Sequence, residues 1–246
     1  MTKDESAVTV VHTMNVLAID TATEACSVAL SVGGHVLARH EIVERSHTER
    51  LMPMVFGLMS EAGLGFAQLD GYVCGIGPGS FAGVRIGVGY VKGLALAHDR
   101  PVAAVSSLAT LALPMLDSGA ECVIAAIDAR MREVYLGCYR RGGDGLPEAM
   151  MPERVCDPAH APVVAPGLWA ATGTGWGRYA ERLRVATRAE ITRIDEQALP
   201  RAQDALTIGL AQLAAGQGAS ADALTPAYLR DKVALTLDEQ QALRRS

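Results

Sequence analysis

An apolar run ending in Ala-Ile-Asp occurs twice in this chain, once at Asn15–Asp20 (NVLAID) and again at Cys122–Asp128 (CVIAAID). In both places turn residues follow, then a second strand-like run, then a Gly-Gly pair, Gly33-Gly34 in the first copy and Gly142-Gly143 in the second. The interval from the aspartate to the glycine pair is nearly equal in the two copies. Gly-Gly between alternating runs is a hairpin signal, because both turn positions need φ > 0. A lone hairpin unit cannot bury its own apolar face, so each copy must open a layered lobe. The repeat therefore predicts two similar α/β lobes rather than one continuous sheet. The boundary is placed near residues 109–120, giving a first lobe at 14–112 and a second at 113–246.

Composition agrees with two layered lobes. Half of the 246 residues are apolar but only 4% are aromatic, so the core is built from Ala, Val, Leu, Ile and Met. Such residues suit strands buried on both faces and helices packed closely on them. The longest apolar run, Val102 to Leu116, is interrupted by Ser106, Ser107 and Thr110 and kinked by Pro114, which is no membrane span. A net charge of −5 argues against a chain that grips nucleic acid alone, since such binding neutralises phosphates. The arginines at 178, 182, 184, 188 and 193 stand among Glu181 and Glu190 and read as a solvated face. Five cysteines at wide spacing, without C-x-x-C, form neither a disulfide framework nor a metal signature, and they read as small buried hydrophobes. Residues 1–13 read as a disordered extension without targeting features, with Met14 as an alternative start, and a cytoplasmic location is expected.

The most distinctive local stretch is Gly77-Pro78-Gly79-Ser80-Phe81-Ala82-Gly83-Val84-Arg85-Ile86-Gly87, between a strand expected at 72–76 and a helix expected at 82–97. A Gly-rich turn into a helix can cradle an anion or can be a tight connection only. Ser80 suits a helix N-cap and, without G-x-S-x-G, is no nucleophile elbow. The helix at 47–61 carries Leu51, Met54, Val55, Leu58 and Met59 on one face, with Met52 and Phe56 widening the band. The helix at 82–97 pairs Gly83 with Gly87 and Gly89 with Gly93, with Val91 on its apolar side. More apolar surface than one core contact requires points to a second contact, so these two helices are expected to form a subunit interface. The tail Leu224–Thr236 (LTPAYLRDKVALT) is expected to be held against the fold.

Asp20, with Thr21 and Thr23, opens its hairpin as actin-like and sugar-kinase-like phosphotransferases hold a metal–phosphate group. Asp128 would be the counterpart across a cleft. These four residues are the candidate cofactor-binding set, in vestigial form. No two histidines stand at i, i+4, and there is no Walker A loop or Rossmann fingerprint, so neither a metal site nor a complete catalytic site is expected.

The segments LAIDTATEACSVAL (17–30), SHTERLMP (46–53), GPGSFAGVRIG (77–87), AIDARMREVY (126–135), GTGW (173–176) and LTPAYLRDKVA (224–234) occur in that order. Together they resemble the TsaB (YeaZ) family of tRNA N6-threonylcarbamoyladenosine biosynthesis, from Met14 to about Ala234. Ala82 departs from the threonine usual in the family. The resemblance implies a two-lobed actin-like (ASKHA, ribonuclease H-like) duplicated fold. It implies a non-catalytic subunit that forms a homodimer alone and pairs through the 47–61 and 82–97 helices with the catalytic paralogue TsaD, joined by the ATPase TsaE. In that assembly threonylcarbamoyl is transferred to adenosine 37 of ANN-decoding tRNAs, and tRNA is met through the complex. No cofactor is bound tightly by the chain alone, and ATP with Mg²⁺ belongs to the complex. An independent ASKHA-type ATP-dependent phosphotransferase is the alternative.

Overall fold

The structure is a computed structural model, and it describes residues 14–43 and 46–230. The expectation for residues 1–13 lies outside the described residues, as does the tail beyond Arg230.

The first sheet has five strands in the order β3-β2-β1-β4-β5: β1 (Val16–Asp20), β2 (Ala25–Val32), β3 (His35–Ile42), β4 (Gly71–Gly75) and β5 (Val102–Val105). β1, β2 and β3 form an antiparallel meander, while β4 and β5 join β1 in parallel. The meander turns at Gly33 and Gly34, both at positive φ, as the glycine pair predicts. The second sheet repeats the plan with β6 (Cys122–Asp128) at its centre. β7 (Val134–Arg141) runs antiparallel beside it, with β8 (Pro147–Ala149) and β9 (Arg154–Cys156) on β7. β10 (Leu168–Thr172) and β11 (Glu190–Asp195) run parallel on the other side. The duplication read from Ala-Ile-Asp is thus a duplication of strand order.

Strand residues of β1 alternate between two covered faces. Leu17 and Ile19 point to the face carrying α1 (His47–Ala62) and α2 (Phe81–His98), where Leu30, Tyr72 and Cys74 join them. Val16 and Ala18 point to the opposite face, covered by α5 (Ala202–Ala214), with Val73, Ala103 and Val105. Burial on both faces explains why these strands are almost continuously apolar. Gly209 lets α5 come this close, since a Cβ there would stand 2.3 Å from Val73 Cγ2. The second sheet is covered on one face by α3 (Ser107–Asp117) and on the other by α4 (Thr174–Thr187) around buried Trp176.

The lobe boundaries differ from those expected. The chain returns to the first lobe at Ala202, and residues 219–227 stay there: Ala219 bridges Val102, and Leu224 is buried in the first core. The first lobe is therefore built from two separate stretches of chain, and 113–246 is not one unit. Helix α3, which spans the expected break at 112/113, packs as a whole element against β6 and β7 and touches α5.

Candidate functional site

The Asp20 turn is held from three sides by its own chain. Asp20 Oδ1 accepts the Ala22 N–H at 2.9 Å, while Oδ2 is buried without a partner. Burial pushes this carboxyl up from 3.8 to about 6, against the smaller opposing effect of the Ala22 hydrogen bond. Gly75 faces it because a Cβ there would lie 2.0 Å from Asp20 Oδ2. Thr21 Oγ1 donates to the Gly83 carbonyl at 2.7 Å, and Thr23 Oγ1 accepts from the Ala25 N–H at 3.4 Å. His47, at the start of α1, brings Nε2 to 2.8 Å from the Thr23 carbonyl.

The Gly77–Gly87 stretch closes on this turn from above. The Ser80 N–H donates to the Ala22 carbonyl at 2.6 Å. A Cβ at Gly79 would stand 2.1 Å from that oxygen, and one at Gly83 would stand 2.1 Å from the Thr21 carbonyl oxygen. Ser80 Oγ accepts from the Gly83 N–H at 3.3 Å, the N-cap that its position predicts. The glycines serve a backbone-to-backbone approach. A phosphate-holding turn needs open space and free donors at this place; here the loop lies directly against the turn, and the Ala22 N–H and the Thr21 hydroxyl are engaged. Asp20 and Thr21 do not fit a bound nucleotide phosphate, whereas Thr23 lines open space.

The second copy is built alike. A Cβ at Gly173 would lie 2.3 Å from the Ala126 carbonyl oxygen and one at Gly175 would lie 2.9 Å from Ala126 Cβ, so G-T-G-W packs on β6 as G-P-G-S packs on the first turn. Asp128 N–H donates to Thr174 Oγ1 at 3.2 Å. Its carboxylate pairs with Arg178 at 2.8 Å and Arg130 at 3.2 Å, which neutralise it.

Between the lobes lies a cleft of about 480 Å³. Thr23 and Asp128 line it, together with Glu24, Ser80, Phe81, Arg130, Tyr135 and residues 226–230. Asp20 and Thr21 do not: they are 1% and 0% exposed and lie beneath its floor. Of the two aspartates expected on opposite sides of the cleft, Asp128 therefore lines it and Asp20 does not. Among the described residues, no group of three or more His, Cys, Asp or Glu could hold a metal ion. The buried cysteines Cys26 and Cys138 are pushed up to about 11 and about 12 by burial, as small hydrophobes would be.

The helix face needs a correction too. Leu51, Met54, Val55, Leu58 and Met59 of α1, and Gly83, Gly87 and Val91 of α2, are all buried inside the first lobe itself. They pack on β1, β2 and β4 and are not available to a partner as surface. The broad apolar band of α1 covers the lobe's own wide sheet. Open to solvent on these helices are Phe56, at 55% exposure, with Gly57, Gly89, Gly93 and Leu96. A Cβ at Gly89 or Gly93 would meet nothing within 4 Å, so this glycine pair leaves a bare stretch of helix backbone facing outward. Phe56 leads from α1 toward α2 through Phe66, 5.8 Å away edge to face, and Phe66 in turn lies 6.2 Å from His98.

Comparison with known proteins bears on this architecture. The tRNA threonylcarbamoyladenosine biosynthesis protein TsaB of Escherichia coli (strain K12) is 40% identical over 90% of this chain and 96% of its own length. The chain belongs to the TsaB (YeaZ) family. The protein of the same name from Haemophilus influenzae is 38% identical over 89% of this chain and 95% of its own length. The solved structure of YeaZ from Pseudomonas aeruginosa superposes with a TM-score of 0.83 at 44% identity, covering 88% of this chain and all of that one. Residues 36–236 match the family model described as "TsaD: tRNA N6-adenosine threonylcarbamoyltransferase". The two lobes are accordingly the actin-like (ASKHA) architecture. No helix among the described residues is long and apolar enough to cross a membrane.

Proposed function

We propose that this chain is a non-catalytic subunit of the machinery that makes N6-threonylcarbamoyladenosine in tRNA. In this reading it scaffolds and activates the catalytic paralogue TsaD, together with the ATPase TsaE, for transfer to adenosine 37 of ANN-decoding tRNAs. Support for the pathway comes from the relatives named TsaB. The observation that carries the non-catalytic part is the close approach of Gly79 and Gly83 to the Ala22 and Thr21 carbonyls, with Asp20 and Thr21 buried away from the cleft. The partner surface in this proposal is the outward side of α1 and α2, around Phe56, Gly89 and Gly93. A homodimer through the same surface would compete with TsaD. Nucleotide then belongs to the assembled complex.

The test is reconstitution. Extracts depleted of this chain are expected to lose the modified nucleoside by mass spectrometry, and adding it back with TsaD and TsaE restores it. Unchanged modification after depletion refutes the assignment. The alternative, an independent ATP-dependent phosphotransferase, finds its support in Thr23 and Asp128, which both line the interlobe cleft. Micromolar ATP affinity with turnover by the purified chain would decide for it.

A further inference from the structure

Residues 226–230 run across the mouth of the interlobe cleft and touch both lobes. Upstream they are rooted in the first lobe: Lys92 Nζ donates to the Asp222 carbonyl at 3.1 Å, and the Ala227 N–H donates to the Ile76 carbonyl, just past the end of β4, at 2.8 Å. Three residues later the chain reaches the second lobe. Arg230 Nη2 donates to the Ala129 carbonyl at 3.1 Å and to Glu133 Oε2 at 2.5 Å, and Nη1 lies 3.1 Å from Met131 Sδ. The Arg230 side chain is only 14% exposed, so it is seated in the second lobe and does not lie on its surface. What it holds is the loop between β6 and β7, where Arg130, Met131 and Arg132 stand in succession at φ 61, 53 and 63. Three consecutive non-glycine residues in the left-handed region are strained by about 1 kcal/mol or more each and persist only when something fixes them. On the first-lobe side, Tyr228 covers the Arg85 guanidinium at 5.2 Å, while Phe81 lies under it at 3.2 Å.

We propose that residues 226–230 are a strap that latches the two lobes across the cleft, with the Arg230–Glu133 pair as its latch. A two-lobed fold opens its cleft by rotating one lobe on the other, and a segment bonded to both sides opposes that rotation. The strap makes the two lobes one rigid body, keeps the cleft at its closed volume, and orders the left-handed Arg130–Arg132 loop at its rim.

Hydrogen exchange by mass spectrometry on the full chain tests this, read on peptides covering 129–133 and 226–230. Arg230→Glu and Glu133→Arg are each expected to raise exchange at Ala227 and Glu133 about tenfold, the equivalent of one lost charge-assisted hydrogen bond. The double variant Arg230→Glu/Glu133→Arg restores the opposite charges and is expected to recover most of the protection. Singles that exchange like the parent chain, or a double variant as fast as the singles, overturn the latch. Should Arg230→Glu fail to fold, Glu133→Gln removes the ion pair and leaves the Arg230 bond to the Ala129 carbonyl in place; unchanged exchange in that variant overturns it equally.

Discussion

Replacing Asp20 by Asn probes the buried turn most directly. The Asp20 carboxyl is 1% exposed, and burial raises it from 3.8 to about 6. The folded chain therefore holds this proton more tightly than the unfolded chain does. Below the unfolded value both states are protonated and the group contributes nothing. As pH rises, the unfolded state ionises first, and stability falls until the folded group also ionises near 6. The gap between the two values corresponds to about 3 kcal/mol at most, of which about 2 kcal/mol develops between pH 4.5 and 7.5. Asparagine keeps an oxygen to accept the Ala22 N–H and cannot ionise, so Asp20→Asn loses this pH dependence. Asp204 on α5 is also pushed to about 6, chiefly by burial, so the parent chain's raw pH profile contains both groups. The difference between parent and variant isolates Asp20. Urea unfolding at several pH values gives each stability by linear extrapolation. The variant is expected to gain about 2 kcal/mol on the parent as pH goes from 4.5 to 7.5. A difference that is flat with pH, or that grows in the parent's favour, would falsify the buried-carboxylate account.

Gly83→Ala places a methyl 2.1 Å from the Thr21 carbonyl oxygen and is expected to destabilise by roughly 1–3 kcal/mol in thermal melts. Gly89→Ala, less than two turns on in the same helix and facing open space, is expected to stabilise by about 0.5–1 kcal/mol; equal effects at the two sites would remove the close-approach explanation. Phe56→Asp is expected to leave the melting temperature within a few degrees of the parent but to abolish co-elution with TsaD and the homodimer in light scattering; intact association would move the partner surface elsewhere. Leu58→Asp, at 0% exposure, is expected to lower the melting temperature sharply before any effect on association is seen, and a stable monomeric variant would contradict its place in the core.

The two glycine-rich stretches show why one motif has two meanings. Glycine before a helix leaves room for something to approach its N-terminus, and the pattern does not say what. In both lobes the approaching group is the chain's own backbone, Ala22 with Thr21 in one and Ala126 in the other. The duplication thus extends from strand order to the way each central strand is clasped. The pair of carboxylates has meanwhile diverged. Asp20 is buried with one oxygen free of partners, whereas Asp128 is neutralised by Arg130 and Arg178.

By itself the sequence determined what depends on neighbours along the chain. Apolar alternation, Gly-Gly turns and the repeated Ala-Ile-Asp placed the strands and the two-lobed plan, and Ser80 announced the N-cap of α2. Family membership was legible for the same reason, since its motifs are contiguous. Tertiary structure decided everything that depends on which surface meets which. Leu51, Met54, Val55, Leu58 and Met59 have one helical periodicity whether they face a partner or their own sheet, and only the position of the first sheet, β2 above all, shows that it is the sheet. The return of α5 to the first lobe has no local signal, because an amphipathic helix fits either sheet. Nor could spacing show that Asp20 and Thr21 lie under the cleft floor, or that Arg230 crosses to Glu133, far back along the chain. Periodicity fixes which side of an element is apolar. Long-range packing chooses what covers it.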